Sequence, residues 1–461
     1  MGNADSAAPS GELRREMKLL DLALFQIVYV LGPTSIGTAA VLGRSHIAYW
    51  LAAILLFYVP QAALVIHLSG RWPYEGGLYQ WVKLAYNERL GFLVAWNMWL
   101  ANLIICSYAG VTIVSHVAYA LGPGGHWINE SQPINIAVSA LVLAVIGALG
   151  IRGLEVGKWV HNAGAASIVL CYLLLIALPL ANSPAAQQVP VTWEWPVLSL
   201  LSLNVLSKLT VPAFCGLEQA AVLAGECDQP ARDLRGATLA GGPCIALLFI
   251  LGTGAVNVFV PPGKVDLAAP FPQAIAAAAA QLRLSFPLVP VVCGGLVVYW
   301  FSGASSAFTA LSRLPMVAGW DHLLPDWFTR LHPVWKTPVN SILVTLTLAI
   351  AITLYSIAGA GHQEAFQLLL SQTNVFTALA YLPMFALPLL REPGSWPLRV
   401  AGAAGLSSTL LFIGLSLRPL VEVRSGWVFA LKVVSVIAGA NLAGMLVFMT
   451  GSRAGRLQPK E

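Results

Sequence analysis

Two glycine-bearing interruptions sit inside long apolar runs. Gly32-Pro33-Thr34-Ser35-Ile36-Gly37-Thr38 lies in the first run, and Phe214-Cys215-Gly216-Leu217-Glu218 in the sixth. Gly32, Gly37 and Gly216 permit unusual backbone angles and close approach. Pro33 removes a donor and disfavours helix at the residue before it. A helix broken within a membrane frees N–H and C=O groups that lipid cannot satisfy. Such a break persists only where it lines a cavity or is buried in protein. The second half-helix then begins with unpaired N–H groups and a partial positive charge, suited to a carboxylate. The first half-helix ends in carbonyls, suited to an ammonium group or a cation. Two antiparallel breaks at one depth therefore suit a zwitterion, and paired breaks in two halves point to a transporter's binding site.

Two charged residues flank the second break. Glu218 sits just inside it, where a carboxyl is costly unless paired or protonated. It could sense protons, hold a gate or pair with a substrate amine; equally, it could only satisfy the freed N–H groups. Lys208 lies about ten residues earlier, roughly 15 Å along a helix, so the two are not a direct pair. It either faces an outer vestibule and attracts an acidic group, or snorkels to the interface. Both residues are gating or proton-coupling candidates.

The elements that must position these groups are apolar helices. Of the 461 residues, 57% are hydrophobic and 10% charged, against about 25% charged in a soluble domain. Twelve spans are expected, at 19–41, 48–69, 91–118, 134–150, 162–181, 197–224, 238–260, 286–310, 338–358, 365–390, 398–417 and 426–450. Each matches a hydrocarbon core about 30 Å thick. Between spans 7 and 8, the run Ala274 to Ala280 predicts a short helix along the outer surface. With the N-terminus inside, eighteen of the 25 basic residues fall in inner segments, five in outer segments and two within spans. This asymmetry supports cytoplasmic termini and an even number of spans. The polar segment Met1 to Leu13, followed by Arg14, Arg15 and Lys18, does not read as a cleaved signal peptide.

Other chemistries find no support in the sequence. Five of the six cysteines lie in apolar spans and none forms a C-x-x-C pair, which argues against disulfides and zinc. His116 and His161 read as packing residues. A net charge of +5 gives no reason to expect nucleic acid. No segment is long enough for a signalling domain, as a membrane receptor would need, and no nucleophile or metal constellation suggests an enzyme.

Four segments make the chain resemble the amino acid–polyamine–organocation permeases. They are Ile36-Gly37-Thr38; Leu68 through Tyr79, with Pro73-Tyr74-Glu75-Gly76-Gly77 at its centre; Phe214 through Glu218 continuing to Glu226, Pro230 and Arg232; and Ser312-Arg313 through Leu324-Pro325 to Thr337-Pro338. Ala39 stands where the family has a second glycine. The resemblance implies an inverted repeat of spans 1–5 and 6–10, with spans 1 and 6 as broken counterparts and spans 11 and 12 outside it. It implies that Asn102 and Cys106, four residues apart on span 3, line the site. It further implies that Ser302, Ser305 and Ser306 on span 8 could bind sodium with carbonyls of span 1. Relatives that replace this ion with a span-5 lysine have Ile168 as their counterpart here. The loop at Glu75 would belong to an inner gate.

The expected protein is an all-α integral membrane protein of twelve transmembrane helices. A 5+5 inverted repeat with broken helices 1 and 6 is followed by two extra C-terminal helices. Residues 1–18 form a cytoplasmic tail, 19–390 the transport core, 391–450 helices 11 and 12, and 451–461 a second cytoplasmic tail. It is expected to move amino acids or related amines across the plasma membrane by alternating access. A polyamine or organocation carrier and an amino-acid exchanger are the alternatives. The partners are a small-molecule substrate and membrane lipid. The coupling ion is sodium or a proton, with no other cofactor, and the oligomeric state stays open.

Overall fold

The computed structural model describes residues 15–180, 194–267, 269–284, 286–320, 322–359, 362–391, 395–418 and 425–456. Among these residues the chain is helical, and a single isolated bridge, Met17 to Cys227, is the one extended pairing. The helices are α1 Leu19–Val30, α2 Pro33–Ala40, α3 Gly43–Arg71, α4 Leu78–Ala85, α5 Glu88–Ala120, α6 Gln132–Arg152 and α7 Leu154–Leu180. They continue as α8 Leu200–Phe214, α9 Gln219–Val222, α10 Pro230–Phe259, α11 Pro270–Gln281 and α12 Leu288–Trp320. The last four are α13 Val339–Gly359, α14 His362–Leu390, α15 Trp396–Ser416 and α16 Gly426–Arg456.

Among the described residues, 10 helices are long and apolar enough to cross a membrane, or 11 when the bent pair α1–α2 counts as one span. The expected twelve is reached when α13, a helix of 21 residues, counts as a further span. Loop chemistry sets the ends. Asn87 caps α5, its Oδ1 accepting from Leu90 N–H at 2.9 Å. Ser199 and Ser202 cap α8 reciprocally. Gly153, with φ of 83°, turns α6 directly into α7.

The longest helices surround the broken ones. α5 packs on α12 and α14, α12 on α7, and α1 on α10 and α7. Small residues permit the closest crossings. A Cβ on Gly164 of α7 would fall 2.1 Å from Ser302 Cβ of α12, and one on Gly110 of α5 2.4 Å from Ser139 of α6. α11 forms where the alanine run predicts a helix, with Ala276, Ala280 and Gln281 exposed and the opposite face packed down. Pro270, Phe271, Ala274, Ile275 and Ala278 are buried against α2, α10 and α12. Burying that apolar face is favourable where the alternative is the polar interface.

Candidate substrate site between two broken helices

The first break is narrower than the sequence suggests. Only Leu31 and Gly32 leave helical geometry, and the axes of α1 and α2 diverge by 47°. Leu31 N–H still reaches Ile27 O at 2.9 Å. Pro33 occupies the first position of α2, where a missing N–H leaves nothing unpaired that was not already so. The Gly32 carbonyl accepts from the Tyr172 hydroxyl at 3.2 Å as well as from Ser35 N–H at 3.3 Å. Thr34, Ser35, Ile36, Gly37 and Thr38 are helical. Gly37 thus serves packing rather than unusual angles: a Cβ there would meet Pro270 of α11 at 2.6 Å.

The second break is a true reversal of backbone. α8 ends at Phe214, Cys215 is extended, and Gly216 has φ of +118°, a region that L side chains avoid. Glu218 is fully buried and gathers the freed groups. Its Oε2 accepts from Gly216 N–H at 3.2 Å, the Tyr381 hydroxyl at 2.7 Å and Gln61 Nε2 at 3.0 Å. Its Oε1 accepts from Gln219 Nε2 at 3.3 Å. Gln26 Nε2 donates to Leu217 O at 3.0 Å. Three other helices, α1, α3 and α14, therefore satisfy this break from within the protein. Phe214 packs edge-on against Trp50 and Phe249 and tilted against Tyr58.

The two breaks meet at a cavity of about 180 Å³. Gly32, Thr34, Ser35 and Thr38 line it from the first broken helix, and Lys208, Pro212 and Cys215 from the second. Tyr29, Tyr108, Tyr299, Trp300, Thr373 and Asn374 complete much of the wall. Pro33, Ile36, Gly37, Phe214, Gly216, Leu217 and Glu218 are not in the lining. Asn102 and Cys106 lie behind it. The Tyr29 hydroxyl donates to Asn102 Oδ1, Asn102 Nδ2 donates to Met98 O at 2.9 Å, and Cys106 Sγ lies 3.5 Å from Ala304 O. Ile105, Tyr108 and Ala109 present α5 to the cavity instead. Lys208 Nζ donates to Asn204 Oδ1 at 2.6 Å and lines the cavity, so it faces inward rather than snorkelling.

The three serine hydroxyls have hydrogen-bond partners within the protein. Ser302 Oγ donates to Val160 O at 2.6 Å, and Ser306 Oγ donates to Ser302 O at 3.0 Å. Ser305 Oγ lies 3.4 Å from His161 Nε2. His161 is buried, packed edge-on against Phe25. Gln26, Tyr29, Gln61 and Tyr381 escaped the sequence reading. Gln26 and Gln61 carried a signal, an amide in an otherwise apolar span. The two tyrosines carried none.

On the side of the breaks nearer Met17 the packing is closed. A Cβ on Gly77 would lie 2.8 Å from the Ala221 backbone. Arg313 pairs with Glu226, Nε to Oε1 at 2.9 Å. Gly225 N–H donates to Glu75 Oε2 at 2.6 Å, and Glu16 and Met17 N–H donate to Glu226 O. Burial pushes the Glu75 carboxyl well above the usual carboxylate range, and the Glu226 carboxylate adds to this.

Residues 17–392 match a family model described as Amino acid permease. The chain belongs to that family. Amino acid permeases lie in the amino acid–polyamine–organocation superfamily, so the resemblance carried by the four segments holds. The permease is similar to an "uncharacterized transporter" of Legionella pneumophila, 24% identical over 81% of this chain and 80% of that one. A second "uncharacterized transporter", of Mycobacterium tuberculosis, is 24% identical over 96% of this chain and 92% of its own. A "probable agmatine/putrescine antiporter" of Lactococcus lactis is 22% identical over 85% and 84%. The permease is thus a multi-pass membrane transporter.

Proposed function

We propose that the permease is a secondary transporter that carries a small zwitterion, an amino acid or a close relative, through the plasma membrane by alternating access. One observation carries this: two interrupted helices border a single cavity. The N-terminal turn of α2, with Thr34 and Ser35, lines it, as does the last turn of α1 at Val28 and Val30. The first offers N–H groups to a carboxylate, and the second offers carbonyls to an ammonium group. Neither needs a charged side chain. Residues named in the sequence but absent from the lining act here as support. Glu218 holds the second break, Asn102 positions Tyr29, and Gly37 seats α2 on α11.

Alternating access would be a rearrangement of the layer between Met17 and Arg313 against the cavity side, where Leu267 and Ser416 lie. With cytoplasmic termini, that layer is the inner gate and the cavity is on the outer side. Twelve spans in a 5+5 repeat suit this reading. The two broken helices are then counterparts, as are α5 and α12, which pack together extensively. Symport and exchange are both compatible with it, and the coupling ion is proposed to be sodium or a proton. Ser302, Ser305 and Ser306 stay the residues proposed for sodium, since a hydroxyl that donates its hydrogen keeps oxygen lone pairs for a cation.

The test is uptake of labelled amino acids and amines into liposomes holding the purified protein, with and without sodium and a proton gradient. Accumulation above protein-free liposomes, lost in Gly216→Val, supports the site. Uptake in Gly216→Val equal to the wild type would place the path elsewhere.

A further inference from the structure

We propose that the cavity selects cargo bearing a carboxylate on its side chain, an acidic amino acid, and that Lys208 is the residue that binds this second anionic group. The proposal rests on the transporter reading above and names its substrate class.

Placement argues for it first. Lys208 is seven residues before Cys215, about 10 Å along α8. A carboxylate held at the start of α2 is served by that helix end, so Lys208 is left to meet a second group further out in the same cavity. Its one hydrogen bond among the described residues runs to Asn204 Oδ1, one turn earlier on its own helix. An ammonium group has three donors, so donors are left over for cargo.

Two unpartnered polar groups also belong to the wall. Thr373, 3% exposed, is part of the cavity wall, and its buried hydroxyl has no hydrogen-bond partner among the described residues. Trp300 is in the wall too, and its buried indole N–H has no partner among the described residues. An indole N–H can only donate. Such groups are kept without partners in a protein interior only at a cost, which an incoming acceptor removes.

The cavity offers nothing equivalent to a second cation. No Asp or Glu is in its lining among the described residues, and Glu218 is consumed by Gly216, Tyr381 and Gln61. A diamine would bring one ammonium group to the end of α1 and drive the other against Lys208. The cargo named for the Lactococcus lactis relative is therefore disfavoured here on electrostatic grounds. A volume of about 180 Å³ fits a small metabolite, being below the roughly 300–1,000 Å³ of pockets for larger ligands.

The experiment compares glutamate and aspartate with their amides, glutamine and asparagine, and with putrescine, in liposomes holding the full-length protein. Wild-type protein should favour the acids over the amides by about tenfold to a hundredfold, the range of one charge-assisted hydrogen bond in a buried site. In Lys208→Met the acid-to-amide ratio should fall to about one, and Lys208→Arg should restore a preference for acids. The ratio is read rather than the rate, so reduced insertion of a variant does not mimic the effect. An unchanged ratio in Lys208→Met, or a wild-type preference for amides or putrescine, would overturn the acidic-cargo assignment and leave the transporter reading standing. Uptake of other amino acids but none of these five would likewise overturn the acidic-cargo assignment alone, and uptake of no amino acid or amine would overturn the amino-acid carrier reading as well.

Discussion

Tyr29 lies directly across Gly216: a Cβ on Gly216 would fall 2.1 Å from Tyr29 Cδ1. The last turn of α1 thus rests on the break that follows α8. The backbone of one interrupted helix leaves room for the ring of the other, and that ring is fixed by its hydroxyl on Asn102. The two breaks are one packed unit, and a change at either should be felt at both.

Gly216→Ala tests this unit. Two effects oppose the methyl group, the clash with Tyr29 and a φ of +118°. Transport should fall at least tenfold, with membrane insertion retained. Adding Tyr29→Ala should recover thermal stability in part, because it removes the clash and leaves the backbone strain. A double variant no more stable than Gly216→Ala alone would show that the ring contact does not matter. Thermal midpoints in detergent provide the measurement.

Glu218 and Tyr381 should behave as coupled residues. Tyr381→Phe removes a donor to Glu218 Oε2 and an acceptor of Gly216 N–H. The expected loss is about 1–3 kcal/mol, the cost of a buried polar group left without its partner. Glu218→Gln should lower turnover and change its pH profile. A double-mutant cycle on stability should give a coupling of about 0.5–3 kcal/mol. A coupling of zero would separate the two.

The Arg313–Glu226 pair sits in the closed layer, with both side chains largely buried. Removing one partner leaves a buried charge, so Arg313→Met should destabilise by about 3–5 kcal/mol. Arg313→Met combined with Glu226→Met should recover most of that, since no charge is then stranded. Equal losses in the single and double variants would refute the argument.

Glu75 should make the closed layer sensitive to pH. Burial, reinforced by Glu226, raises its carboxyl above the usual range. A raised acid favours its neutral form in the closed arrangement. Its contribution is fully present below the ordinary carboxylate range and is lost as pH rises through the raised value. Glu75→Gln, which mimics the neutral form, should be more stable than wild type at high pH. The gap should close as pH falls, with a slope of at most about 1.4 kcal/mol per pH unit. Thermal midpoints of both proteins from about pH 5 to about pH 9 give the comparison. Parallel curves would show that Glu75 does not titrate in this layer.

The sequence alone determined the solvent and the class. Long apolar runs can only satisfy their backbones as helices in lipid, and an interruption such as Cys215-Gly216 can survive only inside protein. Those are local constraints, readable from composition and from single glycines. It also marked Lys208 as a charge in an apolar span without deciding which way it faces. Tertiary structure decided that, because a lysine's direction depends on what stands opposite it. It also decided which polar residues touch the cavity. Asn102 and Cys106 share one face of α5, but that face turns toward Tyr29 and Ala304, and Ile105 and Tyr108 meet the cavity instead. Gly37 looked like part of the break, yet its lack of a side chain serves the approach of Pro270, far along the chain. Gln26, Gln61 and Tyr381 became partners of the second break only when α1, α3 and α14 packed around it. Hydrogen bonds between distant residues depend on helix rotation and register, which apolar patterning leaves undetermined because lipid and core are equally apolar.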